Sequence, residues 1–390
     1  MKKLFLLLFS LLAISSNAQS LSEGFYRVQN YKTDRVLFVE DDKASVVVQA
    51  GTADLGAITP WLPSARSPLS DPQSVIYVYP KGDGYDLIAQ GMSTYERIQM
   101  PIKISQYGST NTYRCSASKG GMTLYLCDQT TSASKSYGKL GTKIPDDNVE
   151  YSRWYANSIS ENSDNYFGVK PTIEVGGKYY VSFYAGFSFK VASSGVKAYI
   201  VSEIGNGEVS VTDVTDKEIP TGTPILFECS SNNPSDNRLK LLGVGGSPLS
   251  SKLTGVYFCN EPDADDEYPH KNVTVFNSST MRILGKSSSG KLAFVKDSNT
   301  LVAGEVEGKV VYCVPANTAV LKASSDKLSD EMIVSFSSTG IDNVAADNSS
   351  VQVVYSMLGV KIGEYGNDVN LSEILPKGIY VVNNKKYIVK

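Results

Sequence analysis

Histidine is almost missing from this chain of 390 residues: His270 is its whole supply. A Ser-His-Asp or Cys-His triad would have that one residue to build on. His270 follows Tyr268 and Pro269 in an acidic loop, and no Gly-x-Ser-x-Gly elbow is present to hold a nucleophile. His-Glu-x-x-His, P-loop and Gly-x-Gly-x-x-Gly patterns are missing too. The five cysteines include no Cys-x-x-Cys pair, so zinc-ligand spacing is not found. The apolar stretch Leu4 to Ile14 falls well short of the roughly 20 residues a membrane-crossing helix needs. An excess of one charge is missing as well. With 37 basic against 40 acidic residues and a net charge of -3, nothing suggests a nucleic-acid groove or a polybasic membrane patch. The densest charge is the run Glu261 to Glu267. Its alternate carboxylates Asp263, Asp265 and Glu267 suit Ca²⁺, but Tyr268 and Thr274 stand where an EF-hand loop needs Gly and a carboxylate. It reads as a solvated acidic loop, and no cofactor is expected. Glycosidase chemistry asks only for two carboxylates about 5–10 Å apart. The chain lacks the repeats of the large barrels and propellers that usually carry it, so catalysis is not expected.

What is present begins with an export signal. Lys2 and Lys3 precede the apolar stretch, and Ser15, Ser16 and Ala18 supply the small residues before Gln19. The expected cut follows Ala18, making 1–18 a signal peptide and leaving no transmembrane segment in the mature chain. No cysteine lies near the cut, so lipid anchoring is not expected, and the protein is read as secreted or on the outer cell surface. After cleavage about 370 residues remain, enough for two or three domains with cores of their own. Tyrosine is frequent, at 24 residues, and alternating runs bounded by Gly, Asn, Asp and Pro recur throughout. That is the pattern of an all-β chain.

Residues 22–160 carry a weak threefold pattern. Tyr26-Arg27-Val28, Ile76-Tyr77-Val78 and Tyr113-Arg114-Cys115 each begin a strand, and a leucine (Leu37, Leu87, Leu124) follows 11 residues after each start. Turn-rich segments lie between them: Lys32-Thr33-Asp34, Gly82-Asp83-Gly84 and Lys119-Gly120-Gly121. Two units later reach a tryptophan, Trp61 or Trp154. Three hairpin units of about 40 residues suggest a closed three-lobed barrel. The segments GFYRVQNYKTDRVLFVE and SRWYANSI make this region resemble the ricin-type β-trefoil. That resemblance implies sugar recognition near the turns after each first strand. The matching positions hold Asn30 and Asp34, then Tyr79, Asp83 and Tyr85, with Ser116 and Ser118 in the third unit. If Trp154 points inward, strand alternation sets Tyr151 and Tyr155 outside. Sugar binding wants an aromatic face and planar polar partners, which makes these the candidate ligand residues.

Residues 163–336 hold a duplication. Gly195-Val196-Lys197-Ala198-Tyr199 matches Gly290-Lys291-Leu292-Ala293-Phe294, and Ile219 to Leu226 matches Val314 to Leu321, both at an offset of 95 residues. The expectation is a two-repeat β-domain whose halves share a Pro-x-Gly/Asn-Thr turn, with Gly or Asn in the left-handed position. The pattern is similar to a repeated module of large Bacteroidetes surface proteins. Residues 340–390 end on two β-rich runs around Asn383-Asn384, a hairpin whose lysines discourage edge pairing. The run LPKGIYVVNNKKYIVK resembles the C-terminal sorting domain of Bacteroidetes type IX secretion cargo, which implies a small β-sandwich-like module and export machinery as a partner. Cys115 and Cys127 flank the Lys119-Gly120-Gly121 turn and read equally as a disulfide or as two small buried residues. Together these features point to a non-catalytic binding protein for a glycan. A protein-binding adhesin for a host or surface protein is the alternative, and a glycan-active hydrolase comes third.

Overall fold

The computed structural model describes residues 21–41, 58–82, 84–91, 103–108, 110–119, 122–143, 149–259, 272–306, 309–336, 351–356, 361–366, 369–382 and 385–389. Residues 1–18, expected to be a signal peptide, the acidic run 261–267 and His270 lie outside these residues. The chain is all-β, and among the described residues helix is confined to short 3-10 turns and the single turn Leu371–Ile374. Among the described residues no helix is long and apolar enough to cross a membrane. Two compact units form, one running to Ser335 and one from Phe336 onward.

Among the described residues the first lobe contains ten strands: β1 (Gly24–Asn30), β2 (Val36–Val39), β3 (Ile58–Trp61), β4 (Ile76–Lys81), β5 (Gly84–Ile88), β6 (Lys103–Gln106), β7 (Tyr113–Lys119), β8 (Met122–Asp128), β9 (Leu140–Lys143) and β10 (Trp154–Ser158). Six make a ring. β1 pairs with both β4 and β10, β10 pairs with β7, β7 with β6, and β4 with β5, while β5 runs beside β6. The hairpins β2–β3 and β8–β9 extend from it. This is the strand order of a β-trefoil barrel.

The ring corrects the phase of the threefold pattern. First strands are β1, β5 and β7, and Ile76 lies on β4, the strand that closes the first unit. A β-rich run, a Gly turn and a leucine describe any antiparallel hairpin, and β4–β5 is such a hairpin between two units. The tryptophans are not equivalent either. Trp154 is fully buried in the barrel wall and donates its indole N–H to Leu126 O at 3.0 Å. Trp61 is half-buried on β3 and packs on Tyr137 at 5.0 Å.

β1 is buried on both faces. Tyr26 and Val28 point into the barrel, where they join Val78 and Trp154. Phe25 points the other way, into a core shared with Phe167, Phe183, Phe187, Phe189 and Phe227 of the following region. Its ring meets that of Phe187 edge-on at 6.0 Å. The seam is closed by polar groups as well. Asn317 donates to Gln90 Oε1 at 2.5 Å and to Tyr184 O at 2.9 Å.

Residues 163–336 bury several of their duplicated positions alike, although Val196 is buried where Lys291 is exposed, and Lys197 exposed where Leu292 is buried. Ala198 and Ala293, Ile219 and Val314, and Leu226 and Leu321 are all fully enclosed. The turns also agree, with Gly222 at φ 72° and Asn317 at φ 55° in the left-handed region expected of them. Strand pairing does not follow the duplication. Ile225–Cys229 pairs with Lys178–Phe183 and Val196–Ile204, whereas its counterpart Thr318–Lys322 pairs with Leu253–Val256 and Met281–Lys286. The halves share these three core positions and the turn, but join one ten-stranded sheet by different edges.

The C-terminal unit is a four-stranded antiparallel sheet in the order Lys361–Gly366, Val351–Ser356, Gly378–Val382, Lys385–Val389. The last two strands form the expected hairpin; Asn383, Asn384 and residues 340–350 lie outside the described residues. Val354, Leu371, Leu375, Val382 and Val389 form its core.

Cys115 and Cys127 are both buried thiols rather than a disulfide. On the β7–β8 hairpin Ser116 stands opposite Tyr125, so the register carries Cys115 and Cys127 onto opposite faces. Burial pushes the Cys115 and Cys229 thiols up to about 12. Their neutral forms therefore favour the fold fully below pH 9, the ordinary thiol value, and this contribution is lost as pH rises through about 12. At pH 8 both should resist maleimide in the native protein and label once urea unfolds it, as peptide mass mapping would show.

The first lobe is also held by a buried ion pair. Arg35 Nη1 lies 2.8 Å from Asp128 Oδ2, with both side chains fully enclosed. All five guanidinium N–H donors are used, on Asp128 and on the carbonyls of Thr130, Ser132 and Lys135. Asp128→Ala would leave that cation buried without a counter-charge. The expected loss is about 3–5 kcal/mol of unfolding free energy in urea titration.

Candidate functional site

The residues anticipated as ligand contacts do not converge on one pocket. Asn30 is fully enclosed and its amide organises the β1–β2 turn. It accepts from Lys32 N at 2.9 Å and Thr33 N at 3.1 Å, and donates to Tyr151 O at 2.8 Å. Tyr85 belongs to the core with Leu21, Tyr26 and Val78. The reason is the phase correction above, since the turn before Tyr85 joins two units and Tyr85 lies on the barrel strand β5. Asp34 is exposed, at φ 59°. Tyr79 is exposed on β4, and Asp83 lies outside the described residues. Tyr151 sits on the 3-10 turn Val149–Ser152, where strand alternation does not apply, and is half-buried. Tyr155 does follow the alternation: with Trp154 inward it is half-buried on the outer wall, 5.8 Å from the ring of Tyr31.

Tyr155 is the end of a larger arrangement that the sequence reading missed. The Arg153 guanidinium lies over Tyr31 at 3.8 Å and over Tyr107 at 4.7 Å. Arg114 lies over Tyr125 at 3.4 Å and faces Tyr107 at 5.9 Å. Rings and cations therefore run in the order Tyr155, Tyr31, Arg153, Tyr107, Arg114 and Tyr125, all half-buried, with Tyr31 and Tyr107 joining residues of the third unit.

Local structure explains each placement. Tyr113 packs inward beside Tyr26 and Tyr85, so its neighbour Arg114 faces out. Trp154 faces in, and Arg153 just before it is held by Tyr31 N donating to Arg153 O at 2.9 Å. Tyr107 opens a tight turn that closes with Tyr107 N on Thr112 O at 2.8 Å, with Gly108 at φ 58°. Arg153 Nε then donates to Thr112 Oγ1 at 3.1 Å. Each cation–ring contact contributes about 0.5–2 kcal/mol according to its desolvation.

The two arginines differ in what else they hold. Arg153 has the Thr112 bond; Arg114 makes no hydrogen bond or ion pair among the described residues, and its Nε is shielded from solvent without a partner. A guanidinium stacked by its faces keeps its in-plane N–H donors for a planar oxyanion. Among the described residues no group of three or more His, Cys, Asp or Glu side chains is placed to hold a metal ion.

Strand order and site together describe an all-β protein with a trefoil barrel and an aromatic–cationic outer wall. No protein-family model matches the chain, and no curated protein matches it. The crystal structure of ThreeFoil, a designed 3-fold symmetric protein, is similar to 35% of this chain over 99% of its own length, at 14% identity and a TM-score of 0.25. The ring of paired strands, and not that likeness, carries the trefoil assignment.

Tyr107 is the ring shared by both cations. Tyr107→Ala should lower unfolding free energy by about 1–3 kcal/mol, whereas Tyr107→Phe, which keeps the ring, should stay near wild type in the same urea titration.

Proposed function

We propose that this is an exported, non-catalytic binding protein that recognises glycans through the outer wall of its trefoil lobe. The tyrosine–arginine ladder carries this reading. Tyrosine rings pair an apolar body with a polar tip, and guanidinium groups supply fixed in-plane donors. A saccharide presents both C–H faces and hydroxyl acceptors to such a surface. The export part rests on the sequence of the two ends, a signal-like start and a final hairpin similar to type IX sorting modules. In this reading the C-terminal unit addresses the chain to the cell exterior, and the repeat region supports the binding lobe.

A protein-binding adhesin is the second reading. It draws on the hairpin Val302–Val306/Lys309–Cys313, which leaves Val302, Val310 and Tyr312 exposed at 42%, 78% and 60%.

The test is a glycan array probed with the chain from Gln19 onward. Binding to a defined set of saccharides, lost in the double variant Tyr31→Ala plus Tyr125→Ala with the fold intact by circular dichroism, is the expected result. Absence of binding to every saccharide at micromolar protein would remove the glycan reading and leave the adhesin.

A further inference from the structure

The barrel contains a second arginine at a position like that of Arg114, and its surroundings indicate what Arg114 is built to hold. Arg27 follows Tyr26 on β1 as Arg114 follows Tyr113 on β7. Both tyrosines pack into the same small core, so both arginines point out of the barrel. Arg27 is fully covered, and the protein supplies acceptors to its Nε and Nη1, while Nη2 is enclosed without one. Arg27 Nε donates to Pro68 O at 2.9 Å and to Ser74 Oγ at 3.2 Å, and Nη1 to Asn165 Oδ1 at 2.5 Å. Arg114 has no such acceptors among the described residues; tyrosine faces alone hold it.

We infer that Arg114, stacked on Tyr125 beside Tyr107 and Arg153, binds the carboxylate or sulfate of an acidic saccharide. This rests on the glycan reading and narrows it to one ligand class. The physical argument has three steps. The Nη groups of Arg114, unlike its shielded Nε, are open to solvent and have no acceptor among the described residues, so a ligand oxygen can reach them. A planar guanidinium clamped by its faces has lost most of its rotamer freedom already, so little entropy remains to be lost on binding. A carboxylate or sulfate then presents two oxygens to two N–H donors in one plane. Arg153 adds a second positive charge one ring away across Tyr107. The chain's net charge of -3 supplies no general attraction for polyanions, so selectivity for acid would come from this site.

Isothermal titration of the chain from Gln19 onward tests it, with three oligosaccharides of equal length: an oligogalacturonate, its carboxyl-reduced neutral form, and a sulfated neutral form. Wild type should bind at least one acidic form about tenfold or more tightly than the neutral one, and the form preferred distinguishes carboxylate from sulfate. Arg114→Gln should abolish that preference. Arg114→Lys, which keeps the charge without the planar fork, should lose most of it while leaving the melting temperature near wild type, so a folding failure of the glutamine variant does not decide the matter. Equal affinity for acidic and neutral forms would overturn the inference and leave the glycan reading standing. Acid preference unchanged in Arg114→Lys and Arg114→Gln would overturn the site. No binding of any of the three, together with a blank array, would end both.

Discussion

The burial of Phe25 against Phe187 ties the barrel to the repeat region, and much of the structure around it depends on that cover. A barrel strand ordinarily turns one face inward and leaves the other to solvent. β1 instead buries both, because Phe25 enters the phenylalanine cluster of the repeat region while Tyr26 and Val28 fill the barrel. Burying a side chain of that size contributes about 2–3 kcal/mol, and it brings neighbouring groups under cover with it. Arg27 is enclosed as a consequence, and desolvation lowers its guanidinium to about 10. Gln90 and Asn317 complete the seam, which is why the barrel and the repeats form one compact unit.

That cover is applied to one side of a pseudo-threefold object, and it breaks the symmetry. Tyr26-Arg27 and Tyr113-Arg114 are the same device on two first strands. One is roofed by Pro68, Ser74 and Asn165, and the other by tyrosine rings. Other stacked arginines in the chain also find acceptors. Arg238 lies over Tyr166 at 4.2 Å yet donates to Ser235 O and Glu161 O. Arg66 lies over Phe38 at 4.3 Å and pairs with Glu40 and Asp71. Stacking alone does not leave a guanidinium unpaired in this fold.

The sequence discloses those features that depend on neighbours along the chain. Hairpins, the left-handed Gly222 and Asn317, and the shared burial of Ala198 and Ala293 follow from local chemistry and a constant offset. The barrel's phase does not, because β4–β5 between units and β1–β2 within one are both strand, turn and strand. The ladder is less legible still. Tyr31, Tyr107, Arg114, Tyr125 and Arg153 come from five separate segments, and none has a pattern that marks it. A hint existed in the repeated Tyr-Arg pair, but two identical pairs in a sequence do not reveal which will be covered.

The same reasoning explains why the anticipated turn residues gave way to the outer wall. Asn30 is fully spent within its own turn, its oxygen on Lys32 and Thr33 and its amide on Tyr151. A short polar side chain beside a hairpin finds backbone partners at once, since they lie within two or three residues. A side chain retains capacity for a ligand only where the fold brings apolar surface to it and withholds acceptors. Arg114 meets that condition, held by ring faces from β8 and the turn after β6. In a barrel rich in turn-forming Asn and Asp, the donors left over are those that local structure cannot satisfy, and the proposed recognition rests on them.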